Sequence, residues 1–472
     1  MMTTDEDERI RATERDPHFD IYDEDGNVRA DFLARVREAI EAEESEFLQR
    51  DVVRLHDSEL GHLLEALNAD QRLELVRLLG DAFDMTALTQ VDEAIRREIV
   101  DKLPNEQIAH GIGELDSDDA VYILEELDQQ DRDEILSQMP FIERVRLRRA
   151  LDYPESSAGR RMQTEFVAVP PFWTVGQTLD YLRDEKELPD SFSQIFVIDP
   201  TFKLMGSLAL DRFLRTGRQT KIEAIMEDSY HPISAEMDQE EAAQLFEQYD
   251  LLSAAVIDGD GRLVGVLTID NIVDVIHEEA DEDIKRLGGV GDEELSDNVV
   301  STVKSRFLWL AVNLLTAILS SSIISVFDGS IEKMIALAVL MPIVASMGGN
   351  AGTQTMTVTV RALATGDLDI YNAGRIIRRE ASVGLLNGIL FAFVMGAIAT
   401  IWFHDFQLGV VVAAAMIINL VAAALGGILL PLLLDRWGAD PAIASSAFVT
   451  TVTDCTGYFA FLGIATWWFA IH

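Results

Sequence analysis

PAIASSAFVTTVTDCTGYFAFLGIATWWFAI, from Pro441 to Ile471, is apolar over more than the roughly 20 residues a helix needs to cross a hydrocarbon core, yet holds one acid, Asp454, near its middle. A carboxylate at that depth costs about 2.5–3.5 kcal/mol on insertion scales, so it should face a cavity or a cation. Lys, Arg and His are missing from the central part of every apolar segment of the chain, which leaves no basic residue to neutralise it there. The reading that follows is ion conduction. Oxygen donors suit hard cations, and Mg2+ sheds water reluctantly, so one carboxylate with nearby hydroxyl and carbonyl oxygens suits a largely hydrated ion. Thr450 and Ser446, one and two turns earlier, share the helix face of Asp454 and should line the path.

Four further apolar segments precede this one, at 307–327, 334–360, 381–403 and 408–434, each long enough to span. Lys304 and Arg306 come before the first, and Arg361, Arg375, Arg378 and Arg379 fall between the second and third, whereas Lys333 is alone in the opposite loops. The positive-inside rule puts the N-terminus in the cytoplasm and the C-terminus outside, in a cell membrane. The second segment carries PIVASMGGNAGTQTMTVTVRALATGDL, Pro342 to Leu368. So much Gly and Pro predicts a broken helix facing a pore or an interface, because freed backbone groups in lipid need partners. Small-residue packing between helices is the competing explanation, above all for the threonines.

The first 303 residues are a different material. From Lys304 onward eight basic residues face nine acidic ones, which leaves 30 of the 38 basic and 72 of the 81 acidic residues upstream, a net charge of −42 there. Such a field repels nucleic acid and anionic lipid and gathers cations, although a solvated surface suited to a saline habitat would look as acidic. A single cysteine, Cys455, excludes an intrachain disulfide and a thiolate metal site. The N-terminal MMTTDEDERI has no apolar core, so no signal peptide is expected.

Two repeats organise this acidic part. Leu103, Leu115, Leu127 and Met139 lie twelve apart, each followed by a polar connector, which predicts a stack of short helices with acids such as Asp116 and Asp118 at N-caps. Further on, FVIDPTFKLMGSLALDRFL (Phe196 to Leu214) matches AVIDGDGRLVGVLTIDNIV (Ala255 to Val273) at seven positions with an offset of 59. Each copy reads strand, tight turn, strand, helix, with an amphipathic helix upstream at 175–183 and 240–249. Together these features resemble a tandem pair of CBS modules.

The run GGNAGTQTMTVTVRALATGDL and the pair DPA…TDCTG resemble the signature of the MgtE family, and the domain order is similar over nearly the whole chain. The resemblance implies an acidic tail (1–30), an all-α N-terminal helical domain (31–154), an α/β CBS pair (155–219 and 220–280), a connecting helix (281–306) and a five-span all-α pore domain (307–472). It implies a homodimeric Mg2+ channel or transporter, not an enzyme, with the pore at the two-fold axis between the fifth spans. Matched residue by residue, Asp454 is the pore carboxylate, Asn350 the asparagine of the second-span motif and Asp440 an acid at the cytoplasmic mouth. Asp274, Glu279, Glu282 and Asp283, with Glu240 and Asp250 upstream, match acids that bridge regulatory Mg2+; Asp118 or Asp119 is the partner in the helical domain. Asn271 stands where the family usually has aspartate, which removes a charge from one site.

Other chemistries find little support. The ribose-holding Ser/Thr-x-x-Asp pattern of nucleotide-binding CBS modules is not matched cleanly at Ala209 to Arg212 or at Thr268 to Asn271, so ATP is not an expected ligand. His277-Glu278 lacks the second histidine of a zinc-protease helix, and no phosphate-cradling loop or nucleophile set is present. The expectation is Mg2+ uptake closed by feedback when cytosolic Mg2+ binds the acids; a CBS-regulated transporter of another divalent cation such as Co2+, or a membrane-anchored nucleotide sensor, are the alternatives.

Overall fold

The twelve-residue spacing becomes a staircase of short helices: α1 (Ala30–Glu41), α2 (Asp57–Ala66), α3 (Ala69–Leu79), α4 (Glu93–Val100), α5 (Asn105–Ile112), α6 (Ser117–Glu125), α7 (Gln129–Gln138) and α8 (Phe141–Leu151). Leu103, Leu115 and Leu127 sit in the connectors, half-buried against a core that includes Leu63, Leu75, Leu88, Ile99, Ile112 and Ile123, and Met139 is buried in it. Pro104, Asp116, Asp128 and Pro140 occupy the N-cap positions, so Asp116 is where the sequence puts it. Asp118 is not a cap. It lies inside α6 and is 8% exposed, so its short side chain does something other than end a helix. The computed structural model describes residues 21–23, 26–185, 188–189, 191–228, 231–291, 299–368, 371–443 and 446–469, and most of the expected acidic tail lies outside them. The chain forms two compact units, 1–275 and 276–472.

Below the staircase in the chain come α9 (Ala158–Arg161), β1 (Ala168–Val169), α10 (Val175–Asp184), β2 (Gln194–Ile198), β3 (Leu204–Ala209) and α11 (Leu210–Arg215). The second copy follows as β4 (Ile233–Ser234), α12 (Gln239–Tyr249), β5 (Ser253–Ile257), β6 (Leu263–Thr268) and α13 (Ile269–Leu287). Each copy is a three-stranded sheet, β1-β2-β3 or β4-β5-β6, with its first pair parallel and its second antiparallel. Even the irregularity repeats: the register shifts between Val197 and Ile198 in one and between Val256 and Ile257 in the other. Gly206 and Gly265 are fixed by crowding, since a Cβ there would come within 2.7 Å of the Glu227 carbonyl oxygen or 2.6 Å of that of Gln163. The two sheets share a small apolar layer of Phe196, Ala255, Leu263 and Val266.

The connecting stretch expected at 281–306 is not one helix. α13 begins at Ile269, runs 19 residues and stops at Leu287, where Gly289 takes a left-handed φ of +70° that side-chain-bearing residues avoid. Residues 292–298 lie outside the described ones, and α14 (Val299–Ser325) then begins. After α15 (Asp328–Lys333) come α16 (Ile335–Ala364), α17 (Ala373–Phe403), α18 (Phe406–Arg436) and α19 (Ser446–Trp468). Five of the described helices are long and apolar enough to cross a membrane: 302–325, 335–364, 373–403, 406–436 and 447–468. A seam of small residues joins α17 to α18, where a Cβ on Gly384 would sit 2.6 Å from that of Ala424 and one on Gly388 3.1 Å from Ile417. In lipid, with little hydrophobic drive between helices, such close approach is the main source of association.

Candidate ion path and regulatory acids

α16 decides how the glycine-rich run of the second span is used. The helix is continuous through Pro342, so the expected break does not occur. Gly348, Gly349 and Gly352 are buried on the inner side, and a Cβ on Gly352 would lie 2.5 Å from Val449 of α19. The glycines therefore serve packing. On the other side Pro342, Ser346, Asn350, Gln354, Thr357 and Arg361 are exposed at steps of four or three residues, which makes a polar strip along one face of a membrane-length helix. Thr359, off that strip, is buried and donates to the Thr355 carbonyl of its own helix at 2.8 Å.

α19 presents the acid. Ser446 is its first residue, and Thr450 and Asp454 follow at one-turn intervals. Val449, Thr453 and Gly457 form the buried side. Thr450 stands next to α16, its side chain 3.6 Å from where a Cβ on Gly349 would be. Asp454 is half-buried, and among the described residues no group donates a hydrogen bond to it and no cation pairs with it. Asn419 was missed by the sequence reading. It is fully buried in α18, donates from Nδ2 to the Val344 carbonyl at 2.7 Å, and its Oδ1 is unsatisfied. It packs against Gly348 and Gly457, so it ties the second, fourth and fifth spans together. The signal was available as the one amide within an otherwise apolar segment, IINLVAAA, at 417–424.

The end of α13 belongs to the same unit. Leu287 packs beside Met356, Val360, Ala442 and Val449, from the ends of the second span and the start of the last. Asp440 Oδ1 accepts from the Ala442 amide at 2.7 Å, and Oδ2 pairs with Arg286, which also pairs with Glu282 one turn back. A guanidinium thus stands between two acids that the family resemblance assigns to Mg2+. Burial, reinforced by Glu279, holds the Asp283 carboxyl above the usual carboxylate range, with Arg361 opposing.

In the first unit, Asn271 Nδ2 donates to Asp118 Oδ2 at 2.6 Å, and the Thr268 hydroxyl donates to Asn271 Oδ1 at 2.7 Å. The other Asp118 oxygen is buried without a partner. Burial pushes Asp118 up to about 6, and burial plus the neighbouring charges of Asp118, Asp116, Asp57 and Asp270 pushes Asp119 to about 7. Glu240 is in the first turn of α12, its amide donating to Asp238 at 2.9 Å. Asp250 ends that helix in a left-handed conformation, φ +52°, and is exposed, as is Asp274 on α13. Among the described residues no three His, Cys, Asp or Glu side chains are grouped so as to hold a metal ion.

Five membrane-length helices joined to an acidic helical repeat and a CBS pair define a multidomain, multi-pass membrane protein. Family models agree with that class: "Divalent cation transporter" (MgtE) matches 341–464, "MgtE intracellular N domain" 55–156 and "CBS domain" 222–278. The magnesium transporter MgtE of Bacillus subtilis is 30% identical over 389 residues, 82% of this chain and 86% of that one. The magnesium transporter MgtE of Thermus thermophilus is 36% identical over 316 residues, 66% of this chain and 70% of that one. A solved structure described as the cytosolic domain of the Mg2+ channel MgtE in complex with ATP is 26% identical, covering 52% of this chain and 99% of that one at a TM-score of 0.48. The chain belongs to the MgtE family of magnesium transporters.

Proposed function

We propose that this chain is a homodimeric Mg2+ channel for magnesium uptake, with Asp454 as the carboxylate that meets the ion in the membrane. The observation that carries this reading is the absence, among the described residues, of any protein partner for a half-buried acid in the middle of the last span. The polar strip of α16 supports it: Asn350 and Gln354 would be costly against lipid, so this face should meet water or a second copy. Exposed Ile269, Val273, Ile276 and Ile284 along α13 support a second copy as well. Thr450 lines the path beside Asp454, Ser446 and Asp440 stand toward the cytoplasmic mouth, and the ion keeps most of its water. The N-terminus and the soluble region are cytoplasmic, in keeping with the basic loops.

Feedback is the second half of the proposal. Residues 31–154 and 155–280 sense cytosolic Mg2+ through Asp118 or Asp119, Glu240, Asp250, Asp274 and Glu279, and the 281–306 connector passes the signal through Glu282 and Asp283. Two bare carboxylates about 4 Å apart repel by roughly 4 kcal/mol at an effective dielectric near 20, before solvent screening, so several pairs relieved by Mg2+ can bias a two-state gate. Leu287 and Arg286 attach the connector to the ends of the pore helices, which supports transmission through α13. The site with Asn271 departs from this scheme: its amide already holds Asp118 without an ion.

Purified full-length chain in liposomes should pass Mg2+ in preference to Ca2+, Mn2+ and Co2+, and Asp454→Asn should slow Mg2+ flux by about tenfold or more, a barrier change of at least ~1.4 kcal/mol. Equal flux in the variant removes Asp454 from the path; faster Co2+ than Mg2+ flux reassigns the substrate.

A further inference from the structure

Three arginines stand in the first two turns of α17, and the face that carries them is the one the bundle leaves open. At 3.6 residues per turn Arg375, Arg378 and Arg379 fall within an arc of about 100°, and Leu386, Ile389 and Phe393 continue along the same arc further down the helix. All six side chains are exposed. Gly384, Gly388 and Met395 are buried on the opposite side, where the two glycines meet α18. A cluster of cations running into an apolar strip thus faces away from the helix that α17 packs on.

The arginines lack matched acids. Among the described residues Arg375 makes no ion pair or side-chain hydrogen bond, Arg378 spends only its Nε, on the Gly374 carbonyl at 3.0 Å, and Arg379 has Glu380 no nearer than 3.8 Å. In the first unit, by contrast, Arg72 meets Glu98 at 2.9 Å and Arg218 meets Asp180 at 2.6 Å. Between Tyr371 and Asn387 the chain places three basic residues and one acid, against a net charge of −43 over its whole length. Orientation in a membrane asks for basic residues near the ends of spans, on any face. It does not ask that they line up above an apolar strip.

Aromatic residues at the two ends of α17 set the depth of the cluster. Trp402 is exposed at the far end, 23 residues beyond Arg379, or about 35 Å along a helix, slightly more than the roughly 30 Å of a hydrocarbon core. Tyr371, also exposed, comes just before the helix. Tyr and Trp collect at the two membrane–water boundaries, so this pair puts the arginines at headgroup level. We propose that the stripe binds an anionic phospholipid, its phosphate on Arg375, Arg378 and Arg379 and its acyl chains along Leu386, Ile389 and Phe393. Guanidinium forks match phosphate oxygens, and basic groups at the bilayer surface attract anionic headgroups. An acidic segment of protein would satisfy the cations and leave the apolar strip unmatched, whereas a lipid answers both.

The test uses the full chain in proteoliposomes. Cys455 is the one cysteine, so Leu386→Cys in a Cys455→Ser background takes a single bimane label on the stripe. Phosphatidylglycerol with a nitroxide on its acyl chain should quench that label at about fivefold lower mole fraction than the phosphatidylcholine analogue, the scale of one basic residue near a charged surface. A label at Leu314→Cys, exposed on α14, should show no such preference. Arg375→Gln, Arg378→Gln and Arg379→Gln together should abolish the preference at Leu386. Lys at all three positions, which keeps the charge that orientation requires, should narrow it, since a point charge lacks the bidentate fork. Excess inorganic phosphate should leave it intact. Equal quenching by the two lipids at Leu386, the same preference at Leu314, an unchanged preference in the substituted chains, or a preference erased by inorganic phosphate would overturn the proposal.

Discussion

Asp118 in the helical staircase and Asp454 in the last span are both acids withdrawn from bulk water, and the protein treats them differently. Asp118 is 8% exposed and receives a 2.6 Å hydrogen bond from Asn271, itself oriented by Thr268. Asp454, half-buried, receives nothing from the described residues, although its span contains four threonines and a serine within two turns. A third acid, Asp440, is matched by the cation Arg286. Where the fold itself holds a carboxylate, a partner is built in; Asp454, in the middle of the last span, is left bare among the described residues.

That contrast can be broken most directly by giving Asp454 a partner. Thr450→Lys puts an ammonium one turn away, and Mg2+ flux in liposomes should fall by about tenfold or more as the pair forms, the scale expected when opposite charges within ~4–6 Å favour each other. Undiminished flux would mean that the bare state of Asp454 is incidental. A smaller effect is expected at Arg286. Arg286→Gln should leave maximal flux intact while shifting the cytosolic Mg2+ needed for closure by about fivefold, the low end of coupling free energies near 1 kcal/mol. A variant with the wild-type closure curve would show that the Glu282–Arg286–Asp440 bridge does not report on the gate.

Asn271→Asp sharpens the comparison from the other side. It sets a second carboxylate against Asp118, and in metal-free buffer should cost the first unit about 1–3 kcal/mol, the usual loss when a buried acceptor is deprived of its donor. Added Mg2+ should restore the melting temperature, and by more than it shifts the parent. Equal shifts would mean that the amide does not stand in for an ion. The smallest effect is with pH. Asp118 and Asp119 are raised from 3.8 to about 6 and about 7, so between pH 3.8 and about 7 the folded chain holds protons that the unfolded chain has released. Their contribution to stability is full below that window and declines as pH rises through it. Melting in low-metal buffer should show a weaker decline from pH 5 to 7.5 in Asp119→Asn than in the parent; identical slopes would place the proton uptake elsewhere.

Much of the architecture was legible because it follows from periodicity and length. Five long apolar runs, a twelve-residue leucine spacing and a 59-residue repeat each have one inexpensive solution, and the structure adopts all three. Helix continuity was harder to read. Pro342 and the glycines suggested a broken second span, but Val449, Ala423 and Asn419 fill the space around them and the helix runs through. Conversely, 281–306 looked like one charged helix, and Gly288-Gly289 ends it at Leu287.

By itself the chain's order of residues determined the charge segregation, the number of spans and the presence of an acid without a basic neighbour in the last of them, since these depend only on composition along a line. Which acid would be clasped was decided by the tertiary structure. Asn271 is 153 positions from Asp118, Arg286 is 154 from Asp440, and Asn419 is 75 from the carbonyl of Val344. A hydrogen bond or ion pair forms over about 3 Å, and only folding brings residues so remote in the chain within that reach.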